Sequence, residues 1–222
     1  MINLEQQELF EIEVLLWLKN KGFLKKLIFG GGTMMRLCHN LNRYSIDLDF
    51  WLYNVQEIEK FYGDIKNSLM QEYKVTDNQN KYHTLLFEIK KAPYLRKLKI
   101  EIRKKTEKSD FQEKIAYSKQ GNMQVLVKGF TLEQMMQNKT KALLDRKEIR
   151  DAFDIEFLVR SGIELSADIE KIKKMEKIIK NYKKRDYYVT LGSLLESKTR
   201  DYYKQNGFSY LMQMFNQKLS YK

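Results

Sequence analysis

The chain has 222 residues, of which 43% are apolar, and a formal net charge of +12. A chain of this size and composition can bury a core and form one domain or a compact pair. The single cysteine, Cys38, excludes an internal disulfide and a multi-cysteine zinc site. Acidic residues among the apolar ones at the N-terminus exclude a signal peptide or membrane span there, so we expect a soluble, cytoplasmic protein without membrane partners.

The first 130 residues combine helix and strand patterns. Apolar spacing predicts helices over Leu4–Leu18 and Val55–Tyr73. Short apolar or alternating runs predict strands in "KKLIFGGGT", which turns into a helix near Thr33, and in "IDLDFWL", "YHTLLFEIKK", "LRKLKIEIRKK" and "MQVLVKGF".

The pattern changes to helix at Thr131 and remains helical to the end. Thr131 and Gln134 have the spacing of a capping box, which predicts a helix start there. Because no linker-like segment separates the two parts, we interpret residue 130 as a change of architecture. The sequence therefore predicts a mixed α/β (α+β) core over residues 1–130 and a C-terminal helical domain over residues 131–222.

A glycine run follows the first predicted strand. Gly30, Gly31 and Gly32 precede a predicted helix, so their backbone N–H groups could hold a phosphate, with the Thr33 hydroxyl beside them. The run lacks the Gly-Lys-Ser/Thr of the nucleoside-triphosphatase P-loop and the G-x-G-x-x-G of dinucleotide folds.

Two alternate aspartates lie on the next strand. Asp47 and Asp49 share one face of the strand, and such a carboxylate pair typically binds a cation such as Mg²⁺ or Mn²⁺. The alternative is a solvent-facing edge strand that happens to carry two acids. With the glycine run one helix away, the pair indicates a nucleotide whose phosphates carry the metal.

A third carboxylate could complete a two-metal site. Glu101 is the sole acid in "KLKIEI", with Leu98 and Ile100 on the opposite face of the strand. The alternative is an exposed glutamate that pairs with neighbouring lysines such as Lys99.

A charged cluster follows in the predicted helices. Lys139 lies on the apolar stripe of its helix, where a lysine needs an anion. Asp154 lies one turn after Arg150 and leans toward the apolar side of the next helix. Two accounts remain open: a buried Lys–Asp pair that joins two helices, or a lysine that meets triphosphate charge and an aspartate that orients it or receives a proton.

Two segments account for the net charge. Residues 81–128 carry 13 basic and 5 acidic residues, or +8, and residues 171–185 carry 8 and 1, or +7. They are either solvated lysine-rich faces or a surface that contacts RNA phosphates.

Four motifs occur in order between about Phe29 and Leu158: "FGGGTMMRL", "RYSIDLDF", "KIEI" and "NKTKALLDRKEIRDAFDI". Together they resemble the AbiEii/AbiGii toxin family, minimal nucleotidyltransferases of the DNA-polymerase-β superfamily found in abortive-infection and toxin–antitoxin systems. The resemblance implies a central mixed sheet flanked by helices, followed by a C-terminal helical bundle that completes the active-site cleft.

The resemblance also implies a role for each matching residue. The metal ligands, for Mg²⁺ or Mn²⁺, would be Asp47, Asp49 and Glu101. The catalytic residues would be Asp47, Asp49, Glu101, Lys139 and Asp154. The nucleoside triphosphate would be bound by Gly31, Gly32, Thr33, Arg43, Ser45, Lys139, Arg150 and Asp151.

The implied activity is metal-dependent transfer of a nucleoside monophosphate from a nucleoside triphosphate to an acceptor hydroxyl, with the end of a tRNA as the expected acceptor. Residues 81–128 and 171–185 would contact the RNA, and a cognate antitoxin would be a further partner. Two alternatives remain: a transferase that modifies a protein, and a nucleotide-binding (GTP-binding) module without turnover.

Overall fold

The structure is a computed structural model that describes residues 2–104 and 109–220. The chain divides into two compact units, Met1–Thr131 and Leu132–Lys222. Lys105 and Lys108, which belong to the basic segment 81–128, lie outside the described residues. None of the helices in the described ranges is both long and apolar enough to span a membrane.

The first unit is built on a mixed seven-stranded sheet with the order β3-β4-β5-β2-β1-β7-β6. Its strands are β1 (Leu27–Gly30), β2 (Asp47–Leu52), β3 (Lys74–Asn80), β4 (Thr84–Lys90), β5 (Leu98–Arg103), β6 (Phe111–Ser118) and β7 (Met123–Phe130). Its helices are α1 (Ile2–Asn20), α2 (Gly31–His39) and α3 (Ile58–Glu72). This confirms the predicted mixed α/β class.

The two acidic strands lie next to each other in the middle of the sheet. β2 pairs antiparallel with β1 and parallel with β5. Leu48, Phe50 and Leu52 are buried, whereas the alternate positions Asp47 and Asp49 are half-buried. Because side chains alternate between the two faces of a strand, burial of the apolar face fixes the opposite face for the acids.

Two strands are absent from the sequence-based prediction. β3 (KVTDNQN) and β6 (FQEKIAYS) form the two edges of the sheet and are largely half-buried or exposed. An edge strand can be polar because it is not enclosed by neighbours on both sides, so it lacks the apolar alternation that identifies an inner strand.

The second unit is helical, as predicted. It contains α4 (Leu132–Arg146), α5 (Ile149–Arg160), α6 (Ile169–Lys180), α7 (Ser197–Asn206) and α8 (Ser209–Ser220), with short helical turns at Asp186–Leu191 and Gly192–Leu194. The fully buried Glu156 of α5 accepts hydrogen bonds from the Tyr203 hydroxyl at 2.9 Å and the Leu211 backbone N–H at 3.3 Å. One buried carboxylate thus ties α5 to α7 and α8.

Candidate functional site

The turn from β1 into α2 brings the glycine run against the acid pair. Gly30 is the register partner of Asp49 on β2. Gly31 has a φ of 73°, in the left-handed region that favours glycine, and a Cβ on it would overlap the Asp49 carboxylate. Only glycine at position 31 therefore allows this carboxylate to lie against the start of α2.

Gly32 packs against the side chains of Arg43 and Ser45, two other predicted nucleotide-binding residues. A Cβ on Gly32 would stand 2.6 Å from Nη2 of Arg43 and 2.9 Å from Oγ of Ser45. Arg43 is buried, and its Nη1 donates to the Tyr44 carbonyl at 2.9 Å. The predicted residues Gly31, Gly32, Arg43 and Ser45 are therefore neighbours around one turn.

The start of α2 has no side-chain cap. Its N-cap, Gly30, supplies no side-chain hydrogen bond, and the first N–H groups of a helix have no partner within the helix. Thr33 is fully buried, and its hydroxyl donates to the backbone carbonyl of Asp47 at 2.6 Å. The Thr33 side chain thus joins α2 to β2, and its contact with a nucleotide stays a prediction.

The face of the sheet that carries the acid pair also carries Glu101 and a lysine. On β5, Glu101 is the register partner of Asp49, and Lys99 is the register partner of Asp47. Lys99 Nζ lies 3.1 Å from Oε1 of Glu101. Burial alone would lower the pKa of Lys99, but the carboxylates of Asp47, Glu101 and Asp49 together raise it above its ordinary value.

The donor chemistry of Asp47 and Asp49 fits a divalent cation. Carboxylate oxygens are the ligands that Mg²⁺ and Mn²⁺ prefer. Across residues 2–104 and 109–220, no three Asp, Glu, His or Cys side chains are grouped to hold a metal ion. The arrangement is therefore an acid pair, with the expected third ligand, Glu101, in the ion pair with Lys99 that the sequence left open as an alternative.

A further carboxyl group, that of Glu11 on α1, interacts electrostatically with Asp47 and was missed in the sequence. Glu11 is fully buried, and its two oxygens have no hydrogen-bond partner within the described part of the chain. Burial, reinforced by the carboxylates of Glu8 and Asp47 and opposed by Arg36, raises the pKa of Glu11 well above its usual value. Its position in an amphipathic helix pattern gave no signal of this burial.

The C-terminal unit holds the lysine and aspartates of the third motif. Lys139 Nζ on α4 lies 2.7 Å from Oδ2 of Asp154 and 3.3 Å from Oδ1 of Asp151, both on α5. Both aspartates are fully buried, and the side chain of Lys139 is 8% exposed. The buried Lys–Asp pair that the sequence allowed is therefore present, and it joins two helices.

Two arginines flank this cluster in different ways. Arg146 forms two hydrogen bonds of 2.7 Å to the carboxylate of Asp151, a contact that sequence reasoning missed although Arg146 lies two helical turns after Lys139. Arg150, a predicted nucleotide-binding residue, instead pairs with Glu148 at 2.5 Å. Lys139 and Arg146 thus both contact the buried carboxylate of Asp151, and Lys139 also contacts that of Asp154.

The second basic segment forms part of a groove in the C-terminal unit. This groove has a volume of about 720 Å³ and is lined by Leu144, Lys147, Lys171, Lys174, Lys177, Ile178, Asn181 and Tyr182. No acidic residue is among them. Within residues 132–220, neither Lys174 nor Lys177 forms a salt bridge. Lys171 pairs with Asp168 at 2.8 Å, so nearby acids compensate the positive charge of the groove only in part.

The first basic segment also contains lysines with acidic partners. Lys91 pairs with Glu72 at 2.6 Å, and Lys97 pairs with Glu88 at 2.6 Å. Whether residues 81–128 contact RNA stays a prediction.

Comparison with known proteins agrees with the four motifs. The family model described as "Nucleotidyl transferase AbiEii toxin, Type IV TA system" matches residues 15–215 of the chain. No curated protein is significantly similar to the chain in sequence.

Solved structures share the fold at low sequence identity. The crystal structure of JHP933 from Helicobacter pylori aligns with a TM-score of 0.57 at 18% identity, covering 95% of this chain and 92% of that one. An antigenic nucleotidyltransferase-like protein from Paracoccidioides brasiliensis aligns with a TM-score of 0.52 at 12% identity, covering 87% and 95%. The fold is thus nucleotidyltransferase-like.

Proposed function

Because the chain belongs to the AbiEii family of nucleotidyltransferase toxins, we propose that it transfers a nucleoside monophosphate from a nucleoside triphosphate to a hydroxyl group on RNA. In this reaction the hydroxyl oxygen bonds to the α-phosphorus, the bond to the β-phosphate breaks, and pyrophosphate leaves. The family is that of a type IV toxin–antitoxin system, so we also propose that a cognate antitoxin restrains the protein.

The observation that carries this proposal is the packing of the Asp49 carboxylate against Gly31 at the uncapped start of α2. Backbone N–H groups at a helix start bind phosphate oxygens, and the helix dipole favours their negative charge. Carboxylates beside a phosphate would repel it unless a cation lay between them. The same turn is therefore suited to a triphosphate accompanied by a divalent cation.

Each residue of this turn has a defined task in the proposed reaction. Asp47 and Asp49 would hold Mg²⁺ or Mn²⁺, which when bound neutralises triphosphate charge and lowers the pKa of the attacking hydroxyl. The backbone of Gly31 and Gly32 would hold the phosphates, and Arg43 would keep the turn rigid from beneath. That Lys139, Arg150, Asp151 and Asp154 also meet the nucleotide stays a prediction from the resemblance.

The groove on α6 supports RNA as the acceptor. Four lysines and a tyrosine line it, and lysines on α6 recur at positions 171, 174 and 177, which share one face of the helix. Lys171 pairs with Asp168, whereas Lys174 and Lys177 form no salt bridge within residues 132–220, and phosphates of a nucleic acid strand would relieve the repulsion between these lysines.

The transfer is tested with the purified protein, Mg²⁺, total tRNA and each nucleoside triphosphate labelled at the α-phosphate. We expect label on RNA in a denaturing gel, its loss with Asp49→Asn, and its retention with Glu113→Gln, an exposed acid on edge strand β6. Label on protein would support the protein-directed alternative. Tight nucleotide binding without any transfer would support the module without turnover.

The groove is tested by charge reversal with a matched control. Lys174→Glu/Lys177→Glu changes the groove, whereas Lys173→Glu/Lys198→Glu changes the net charge equally at exposed positions outside it. We expect the first variant to bind tRNA at least about tenfold more weakly than the second at moderate salt. Equal weakening would show that only net charge matters and would remove the groove from the proposal.

A further inference from the structure

The face of the sheet that carries the acid pair continues with an aromatic side chain and an arginine. Trp51 lies two residues after Asp49 on β2, so both side chains project from the same face of the sheet. Its register partner on β5 is Arg103, just as Glu101 is the partner of Asp49. Trp51 is half-buried and Arg103 is exposed. Because two residues of a strand span about 7 Å, Trp51 and Arg103 lie close to the acid pair.

The indole of Trp51 packs against the turn that leads into α2. A Cβ on Gly30, the N-cap of α2, would stand 2.6 Å from Cζ3 of Trp51 and 2.8 Å from Cδ2 of Phe130. The rings of Trp51 and Phe130 meet edge to face, with centroids 4.8 Å apart, and Phe130 is buried. Both rings therefore lie directly against the backbone of the turn, and the buried ring holds the indole in place.

A guanidinium group lies over the indole. Cζ of Arg103 is 5.0 Å from the centroid of the Trp51 ring, a distance at which the ring attracts a cation. Aromatic rings and guanidinium planes are the side-chain surfaces on which proteins stack unpaired nucleobases. The positive charge of Arg103 also suits the phosphates of a nucleotide. Trp51 and Arg103 together offer a stacking surface beside the turn.

We propose that Trp51 and Arg103 form a platform on which a nucleobase stacks next to the glycine turn. The inference rests on the proposed function, since it concerns the nucleotide or the RNA that this turn and the acid pair would bind. The base belongs either to the nucleoside triphosphate or to an unpaired nucleotide of the RNA acceptor, and the chemistry of stacking is the same for both. Because every base has a π-face, the platform contributes affinity without selecting one base.

The experiment uses Trp51 as its own probe. The chain contains two tryptophans, Trp17 and Trp51, so Trp51 is the only tryptophan in the Trp17→Phe variant. This variant is titrated separately with each nucleoside triphosphate and Mg²⁺, with a single-stranded RNA hexamer, and with inorganic triphosphate, which has phosphates but no base. We expect the nucleotide or the hexamer to quench the fluorescence of Trp51, and inorganic triphosphate to leave it unchanged. Quenching by the nucleotide assigns the base to that substrate, and quenching by the hexamer alone assigns it to the acceptor.

Calorimetry on full-length variants measures what the platform contributes to affinity. Trp51→Leu removes the ring, and Trp51→Phe retains an aromatic surface. Tyr53→Leu is the matched control, because Tyr53 is another half-buried ring with a cation, Nζ of Lys128, 4.4 Å from its centroid. We expect Trp51→Leu to bind the quenching ligand at least about fivefold more weakly than wild type, and Trp51→Phe and Tyr53→Leu to remain within about twofold of it.

Three results would overturn the inference: binding of nucleotide and RNA without a change in Trp51 fluorescence, equal quenching by inorganic triphosphate, or equal affinities in Trp51→Leu and Tyr53→Leu. The fluorescence result holds even if Trp51→Leu does not fold, because it requires no change at position 51. Nucleotide binding that is lost in Asp49→Asn but does not depend on Trp51 refutes the platform alone. A wild-type protein that binds no nucleotide refutes the proposed function as well.

Discussion

Replacement of Lys139 by methionine should destabilise the protein strongly, whatever Lys139 does in catalysis. The substitution leaves the carboxylates of Asp154 and Asp151 without an ammonium group at 2.7 Å and 3.3 Å, and both carboxylates are fully buried. Asp151 keeps its two hydrogen bonds from Arg146. Removing one partner of a buried ion pair typically costs about 3–5 kcal/mol, and with Lys139 almost entirely shielded from water we expect a loss in this range.

The assay is equilibrium unfolding in urea followed by far-UV circular dichroism. Lys141→Met is the control, because Lys141 lies on the same helix and is exposed, so we expect it to change the unfolding free energy by less than about 0.5 kcal/mol. The double variant Lys139→Met/Asp154→Asn should recover part of the loss, because it removes a buried negative charge that Lys139→Met leaves behind.

An unfolding free energy for Lys139→Met within about 0.5 kcal/mol of that of Lys141→Met would refute the buried-network reasoning. If the loss is observed, reduced toxicity or activity in a Lys139 variant is not by itself a sign of a chemical role. Activity must then be compared at a temperature at which both variants are folded.

Three further predictions follow from single residues. Gly31→Ala should lower the melting temperature and weaken nucleotide binding, because the φ at this position is positive and a Cβ would overlap the Asp49 carboxylate. The control Gly63→Ala in α3 should raise the melting temperature slightly, because there is open space around Gly63. Glu11→Gln should flatten the pH dependence of the unfolding free energy. Because the pKa of Glu11 is raised in the folded state, the wild-type protein should lose up to about 1.4 kcal/mol of stability per pH unit between the ordinary carboxyl pKa and the folded-state pKa. Equal slopes for the two proteins, measured by unfolding at a series of pH values, would contradict this. Burial raises the pKa of the Cys38 thiol to about 12. Cys38 should therefore resist a thiol reagent at mildly alkaline pH until the protein is unfolded. Rapid labelling of the native protein would contradict this.

The sequence was sufficient for the inner strands and the helical C-terminal unit because their patterns are local. β2 and β5 alternate apolar and charged residues, so the shared face of Asp47 and Asp49 and the isolation of Glu101 from the apolar face followed directly from the period of a strand. The edge strands β3 and β6 could not be predicted in this way, because their positions are set by pairing with β4 and β7 and not by an apolar face of their own.

The partners of the site residues were less predictable than their positions. Nothing in the local sequence indicates that the Thr33 hydroxyl bonds to the backbone of Asp47, fourteen residues later. Whether the Glu101 carboxylate contacts a metal or Lys99 depends on the charges of the neighbouring strand. The burial of Glu11 depends on how α1 packs. A pattern of residue types leaves several partners possible for such a side chain. The tertiary structure determines which of them it contacts.

The most direct test of the central claim is pyrophosphate release from a nucleoside triphosphate by the purified protein with Mg²⁺ and RNA. The account predicts release that requires both Mg²⁺ and RNA, that is lost in Asp49→Asn, and that persists in Glu113→Gln. Release that is equal in Asp49→Asn and wild type, or binding of the nucleotide without any release, would contradict the assignment of Asp49 and the glycine turn as a nucleotidyltransferase site.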